Sequence, residues 1–253
     1  PFPSDLSVDY IIPLASNTHP LAYSNYPIET LLINIEGAKY ALDLASKCGA
    51  SVLYPSSVEI YGNSVDAKAF VEDSNGKLNL GNARACYTES KRTSEALCQS
   101  YMEEKDVKVK IARLSRLFGP TMFLTDTKAS SQFLIKGINN EDIVLKSEGN
   151  QYFSYCYVAD AIAGLLYVLL HGKDGDSYNI SSQKMNVHLR DFAKYCAMYN
   201  GKSIIFDLPS ENERKGYSIA TSAILDNHKL LELGFVPMYE MKDAIERTIT
   251  ILK

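Results

Sequence analysis

The sequence predicts an α/β protein built on a doubly wound parallel sheet, followed by a smaller lobe. Three observations carry that reading. Compact apolar runs at Val8 to Ala15, Val52 to Tyr54 and Val107 to Leu114 have the near-continuous hydrophobicity of strands buried on both faces. Between them, Ile28 to Lys47 and Tyr87 to Lys105 place apolar residues at helical spacing. After Pro120 the alternation of element types becomes irregular, as expected of a smaller lobe.

At 253 residues the chain is long enough for one α/β domain with a lobe attached, and it can bury a sizeable core. Its 46% hydrophobic and 22% charged residues are ordinary for a soluble globular protein. A net charge of -4 with no basic stripe gives no electrostatic footprint for nucleic acid. No apolar run approaches the roughly 18 residues needed to span a bilayer, so no membrane partner is expected. Five cysteines, Cys48, Cys86, Cys98, Cys156 and Cys196, lack C-x-x-C spacing and are expected to be reduced packing residues of a cytoplasmic protein. His19, His171, His188 and His228 form no ligand cluster, and no metal site is expected.

The first run, Val8 to Ala15, is read as a buried parallel strand ending in Ser16-Asn17-Thr18, and Thr18 to Tyr26 as a polar, aromatic loop. Pro27 stands where it can start a helix. Leu31, Leu32, Ile35, Ala38, Leu42 and Ala45 carry that helix to Lys47, and Gly49 supplies its stop. Val52 to Tyr54 is a strand whose carboxyl end delivers Ser56 and Ser57 to a crevice, the place where open α/β sheets bind ligands. Tyr61 to Ala83 turns polar and reads as a long loop beside that crevice. Tyr87 to Lys105 is a helix and Val107 to Leu114 the next parallel strand. Ser130 to Gly137 is then a helix, Ile143 to Leu145 a strand, Tyr152 to Val158 an aromatic run, and Ala159 to His171 an apolar helix ended by Gly172. A strand at Ser177 to Ile180, a helix at Val187 to Tyr199, a strand at Ser203 to Phe206 and helices at Asp226 to Leu233 and Met241 to Leu252 complete the chain. No G-x-G-x-x-G loop occurs; Gly172 and Gly175 are an isolated pair.

The chemistry is concentrated between residues 52 and 91. Tyr87 and Lys91, spaced i,i+4, share one helix face. An ammonium beside a phenol favours phenolate, and with a Ser hydroxyl such a pair can take a proton from an alcohol. A second copy of the spacing, Tyr101 to Lys105, has no hydroxyl-bearing strand end upstream and reads as a solvated face.

Ser56-Ser57, Ser57-Val58-Glu59-Ile60-Tyr61-Gly62, Arg84-Ala85-Cys86-Tyr87 and Lys91-Arg92 together resemble the NAD-dependent epimerase/dehydratase family, the extended short-chain dehydrogenase/reductases. Within it the likeness is nearest to the UDP-glucuronate decarboxylases. It runs from about residue 8 to the end of the chain and includes Leu233-Gly234-Phe235-Val236-Pro237. The resemblance implies a Rossmann-like NAD-binding domain over 1-120 and a substrate-binding lobe over 121-253, with 159-180 returning to the main domain. The N-terminal strands and glycine loop of that fold are absent from this sequence, which lacks an initiator methionine and is expected to be part of a longer protein. The alternative is a domain that has lost cofactor binding.

By resemblance, Tyr87 is the catalytic base, Lys91 lowers its pKa and holds the nicotinamide ribose, Ser57 bonds the reacting oxygen, and Glu59 is a further catalytic group. Ala15, Ser16, Asn34, Ser56 and Leu114, with Tyr87 and Lys91, are the implied NAD contacts, and Asn34 is expected to steady the strand end near Ser57. Arg84, Arg116 and Ser57 are the implied substrate contacts. A homodimer through helices 28-47 and 87-105 is also implied. The first step common to the family is oxidation at C4 of a nucleotide-bound hexose.

Departures from the family pattern decide the outcome. Val58 stands where dehydratases carry Asp, and valine donates no proton, so dehydration is disfavoured. Decarboxylases share Glu59 but carry Ser at 58 and Arg where this chain has Phe153, and Arg116 replaces a family Asn. Epimerisation asks for the least and is the expected activity. Decarboxylase-like or dehydratase-like chemistry and a non-catalytic nucleotide-sugar or NAD binding protein are the alternatives.

Overall fold

Strand periodicity sets the architecture. The computed structural model describes residues 2, 3, 5-18, 20-62, 64, 68-76, 78, 80, 81, 83-208 and 222-253. His19 and part of the expected 61-83 loop lie outside the described residues. In chain order the elements begin with β1 (Tyr10–Ile11), α1 (Pro20–Asn25), α2 (Pro27–Cys48), β2 (Ser51–Ser57), α3 (Ala85–Lys105), β3 (Val109–Leu114) and β4 (Arg116–Phe118). They continue with α4 (Ala129–Ile138), β5 (Ile143–Leu145), β6 (Tyr152–Tyr157), α5 (Val158–His171), β7 (Ser177–Ile180) and β8 (Asn186–His188). The last are α6 (Leu189–Met198), β9 (Ile204–Phe206), β10 (Ser222–Ala223), α7 (His228–Glu232) and α8 (Met241–Leu252).

The central sheet is parallel throughout, in the order β1-β2-β3-β7. Successive strand side chains point to opposite faces. Val52, Tyr54, Val109 and Ile111 accordingly pack against Ala38, Leu42, Ala45 and Cys98 of α2 and α3. Leu53 and Ala112 face the other way, onto Ala161, Leu165 and Val168 of α5 and Leu230 of α7. Helices thus cover both faces, the doubly wound arrangement expected from the apolar runs.

A second unit is built around β6, which pairs in parallel with β4 and β10 and antiparallel with β8. Phe118, Tyr155 and Phe192 stack there with Phe133, Leu134, Ile245 and Ile249 from α4 and α8. A buried polar network ties the central sheet to the segments near residues 70 and 226. Arg113 bonds Glu95 through two nitrogens, at 3.1 and 2.8 Å, and donates to Tyr61. Tyr61 in turn donates to Asn179, whose amide bonds the carbonyls of Phe70 and Asp226.

Several expected elements differ. The run Val8 to Ala15 forms only a two-residue strand, because Pro13 has no N–H to continue the ladder. The expected loop at 18-26 contains α1, a helix of six residues, too short to show a periodic pattern. The expected helix from Val187 starts at Leu189, since Asn186–His188 is drawn into a ladder with Tyr152, Phe153 and Ser154. No helix among the described residues is long and apolar enough to cross a membrane.

Candidate active site

At the carboxyl ends of β2 and β3, a cavity of about 510 Å³ opens between the central sheet and the β6 unit. Ser56 and Ser57 reach it from the end of β2, Glu59 from the 3-10 turn that follows, Arg84 and Tyr87 from the start of α3, Leu114 from β3 and Arg116 from β4. Seven of the sequence-predicted site residues therefore converge. Ala15, Ser16, Asn34 and Lys91 do not line the cavity.

Ser57 is held in extended conformation at the turn, where its Oγ accepts the Glu59 N–H at 3.2 Å. The Ser57 side chain also draws the Tyr87 phenol pKa down. Burial is nevertheless the largest influence: it pushes Tyr87 up to about 12, and the nearby Glu59 charge adds to that. Lys91, expected to pull Tyr87 downward, is not among these influences. Lys91 itself is buried and pushed down to about 8 by the same cause. Its Nζ donates to the Pro55 carbonyl at 2.8 Å and stands 5.1 Å from the Tyr54 ring centroid.

Asn34 is buried between α2 and α3, donating to Ser90 Oγ at 2.9 Å and to the Thr30 carbonyl. Its described bonds brace the two helices, in place of the expected bond to the strand end. Ser16 turns its hydroxyl to the Asn17 carbonyl, and Ala15 is exposed.

Arg116 spans the cavity wall. Its Nη2 lies 3.3 Å from Glu59, its guanidinium carbon 3.6 Å from the Phe153 ring centroid, and its Nη1 is buried without a protein partner. Ser56 Oγ and Ser115 Oγ, both lining the cavity, are also buried without one. A dry polar atom left unpaired costs about 1–3 kcal/mol, so three of them around one cavity mark a place for a polar ligand. Lys128, from the N-terminal flank of α4, adds a third cation to Arg84 and Arg116.

Sequence reading missed Tyr23, Ser115, Lys128 and Tyr155 in the lining. Ser115 could have been found, since it directly follows a strand whose carboxyl end faces the crevice. Tyr23 lies on α1, which gave no periodic signal.

Fold and cavity together define a doubly wound α/β protein with a serine–tyrosine pair at the carboxyl ends of its parallel strands. The chain belongs to the NAD dependent epimerase/dehydratase family, whose profile matches residues 1–181. It is 29% identical over 251 residues to UDP-glucuronic acid decarboxylase 1 of Xenopus tropicalis, covering 98% of this chain and 57% of that protein. It is 32% identical over 180 residues to UDP-glucuronic acid decarboxylase 6 of Arabidopsis thaliana, covering 71% and 52%. The chain thus spans little more than half the length of these curated relatives. Its fold is that of UDP-glucose 4-epimerase from Thermotoga maritima, crystallised with UDP-glucose, at TM-score 0.82 and 19% identity over 96% of this chain and 76% of that one. The same fold is found in the dTDP-glucose 4,6-dehydratase DesIV of Streptomyces venezuelae, crystallised with NAD and TYD, at TM-score 0.81 and 22% identity over 96% and 73%.

Proposed function

We propose that this chain oxidises a nucleotide-linked hexose at C4 and that the outcome is epimerisation. The observation that carries this reading is the convergence of Ser57 and Tyr87 on one cavity at the strand ends, where the serine acts on the phenol. Bound here, NAD would supply the hydride acceptor for the sugar carbon and the hydride that is returned. The residues present fit its nicotinamide end: Ser56 Oγ is buried without a partner, and Lys91 has two of its three N–H donors beyond the one given to Pro55. Ser57 holds the sugar hydroxyl against the phenol, and Tyr87 takes its proton as the carbonyl forms. With its pKa at about 12, Tyr87 is an acid at neutral pH and acts as a base once a cation in the cavity stabilises phenolate. Arg84, Arg116 and Lys128 suit the diphosphate of a nucleotide sugar. Val58 is buried in the lining and has no proton for dehydration.

Decarboxylation is the second reading, and one observation favours it. The Arg116 guanidinium lies over Phe153, so a cation stands at the side chain where the decarboxylase resemblance expects arginine, with Glu59 beside it. Incubation with NAD and a panel of UDP-, dTDP- and CDP-sugars, with products resolved by mass, tests both. An equal-mass product is expected; carbon dioxide release from UDP-glucuronate would reverse the ranking, and binding without product would leave a binding protein. Tyr87→Phe is expected to abolish turnover with NAD affinity unchanged, and retained turnover would remove Tyr87 from its role.

Ile28, Leu32 and Tyr40, exposed on α2, support a homodimer through α2 and α3, which light scattering checks. Five free thiols, four of them buried, support a reducing, cytoplasmic setting, checked by imaging the tagged protein in cells.

A further inference from the structure

The helix that the sequence hid places a second phenol on the first. Tyr23 of α1 stacks on Tyr87 of α3 with ring centroids 4.7 Å apart and planes inclined by 23°. Both residues are only 9% exposed, and with Cys86 and the partly buried Leu31 they form a cluster separate from the cores on either face of the sheet. Tyr23 also lines the cavity. One side of the Tyr87 ring is thus covered by a residue from a six-residue helix, and Tyr87 shares the cavity lining with Ser57.

We propose that Tyr23 is a positioning residue for Tyr87, its stacked ring holding the phenol against Ser57 and keeping water from it. The role rests on the reading of Tyr87 as the proton-transfer group. A tyrosine ring turns about a broad side-chain torsion, and a parallel aromatic neighbour removes that freedom. The groups facing the pair are Ser57 and Glu59 from the end of β2 and the turn after it, and Arg84 and Cys86 from the N-cap and first turn of α3. Arg116 of β4 lines the same cavity, and Leu31 of α2 contributes no charge. Against those charges the dominant influence on Tyr87 is burial, and Tyr23 supplies part of that cover.

The test reads Tyr87 directly. Phenol acetylation by N-acetylimidazole is followed by peptide mass mapping between pH 7 and 9, with Tyr87→Phe as the blank. Tyr23→Ala is expected to speed labelling of Tyr87 by about tenfold, the change in phenolate fraction for each pKa unit lost. Tyr23→Leu, which keeps bulk without the aromatic plane, is expected to speed it too, and Tyr23→Phe to restore the parental rate and pH profile. Parental labelling in both Tyr23→Ala and Tyr23→Leu, with an unchanged circular dichroism spectrum, would overturn the proposal. A turnover arm complements it: Tyr23→Ala is expected to lower kcat and leave KM for the nucleotide sugar within about twofold, whereas a rise in KM alone would make Tyr23 a substrate contact and overturn the role. If the parent shows no turnover, the functional reading fails and the labelling arm still decides.

Discussion

Lys91 carries a cost of burial. The residue is 5% exposed, and burial depresses its pKa from 10.5 to about 8. For a lysine depressed in the folded state, the penalty is fully present below about pH 8 and fades as pH rises toward the unfolded value. Lys91→Met should therefore raise stability at pH 7 by about 1–3 kcal/mol, less the bond to Pro55, with the gain shrinking toward pH 10. Thermal unfolding at pH 7 and 9.5 measures it; a lower Tm than the parent at pH 7 would contradict the burial argument. Tyr87 and Ser57 were legible because a hydroxyl at a strand end and an i,i+4 spacing leave marks in sequence. The stack of Tyr23 on Tyr87 was not, since it joins residues far apart in the chain through a helix too short to announce itself. Nor was the bracing role of Asn34, because a buried amide at mid-helix looks the same whether it bonds a ligand, a strand end or Ser90.

Helix and strand limits followed from chemistry that sequence carries locally. The Pro27 start and Gly49 stop of α2 were both legible, and Gly49 takes φ of 75° while its N–H bonds the Ala45 carbonyl. What local chemistry cannot show is how much room surrounds a turn. Gly49 and Gly149 both have positive φ, yet a Cβ at Gly49 meets nothing within 4 Å, and one at Gly149 would sit 2.7 Å from Arg190 Cβ and 2.9 Å from its backbone nitrogen. Gly49→Ala should cost about 1 kcal/mol, from the left-handed backbone alone. Gly149→Ala should cost more than that, because the start of α6 must also move. Urea midpoints of the two variants compare them, and equal losses would show that α6 yields freely. The ladder that claims Asn186–His188 was likewise invisible locally, since its partner β6 lies more distant in sequence.

At the level of the whole molecule, Arg113 is the tie. Its guanidinium is mostly buried, paired with an equally buried Glu95, and joined through Tyr61 and Asn179 to segments near residues 70 and 226. Arg113→Ala would strand Glu95 in the interior, a change that costs about 3–5 kcal/mol. Urea denaturation is expected to show that loss, and Arg113→Ala with Glu95→Ala together should recover part of it; no recovery would mean that packing of the arginine stem, not its charge, matters. The doubly wound class was readable from alternating apolar runs and amphipathic helices. How the β6 unit closes over the strand ends was not, because contacts such as Arg116 on Phe153 join residues that no periodic pattern links.

The parallel order β1-β2-β3-β7 also governs how the protein must be made. Val52 meets Val109 and Ile111 meets Ser177, so each rung of the ladder waits for a long stretch of chain to loop back. Chain closure of that kind loses entropy before any contact rewards it, which makes such topologies slow to fold. Helices such as α2 can form early from neighbours in sequence, whereas the cavity, whose walls come from residues 23, 57, 87, 116 and 153, exists only after the last of those loops has closed. During synthesis or after heat shock, a population rich in helix can therefore still be without a working site.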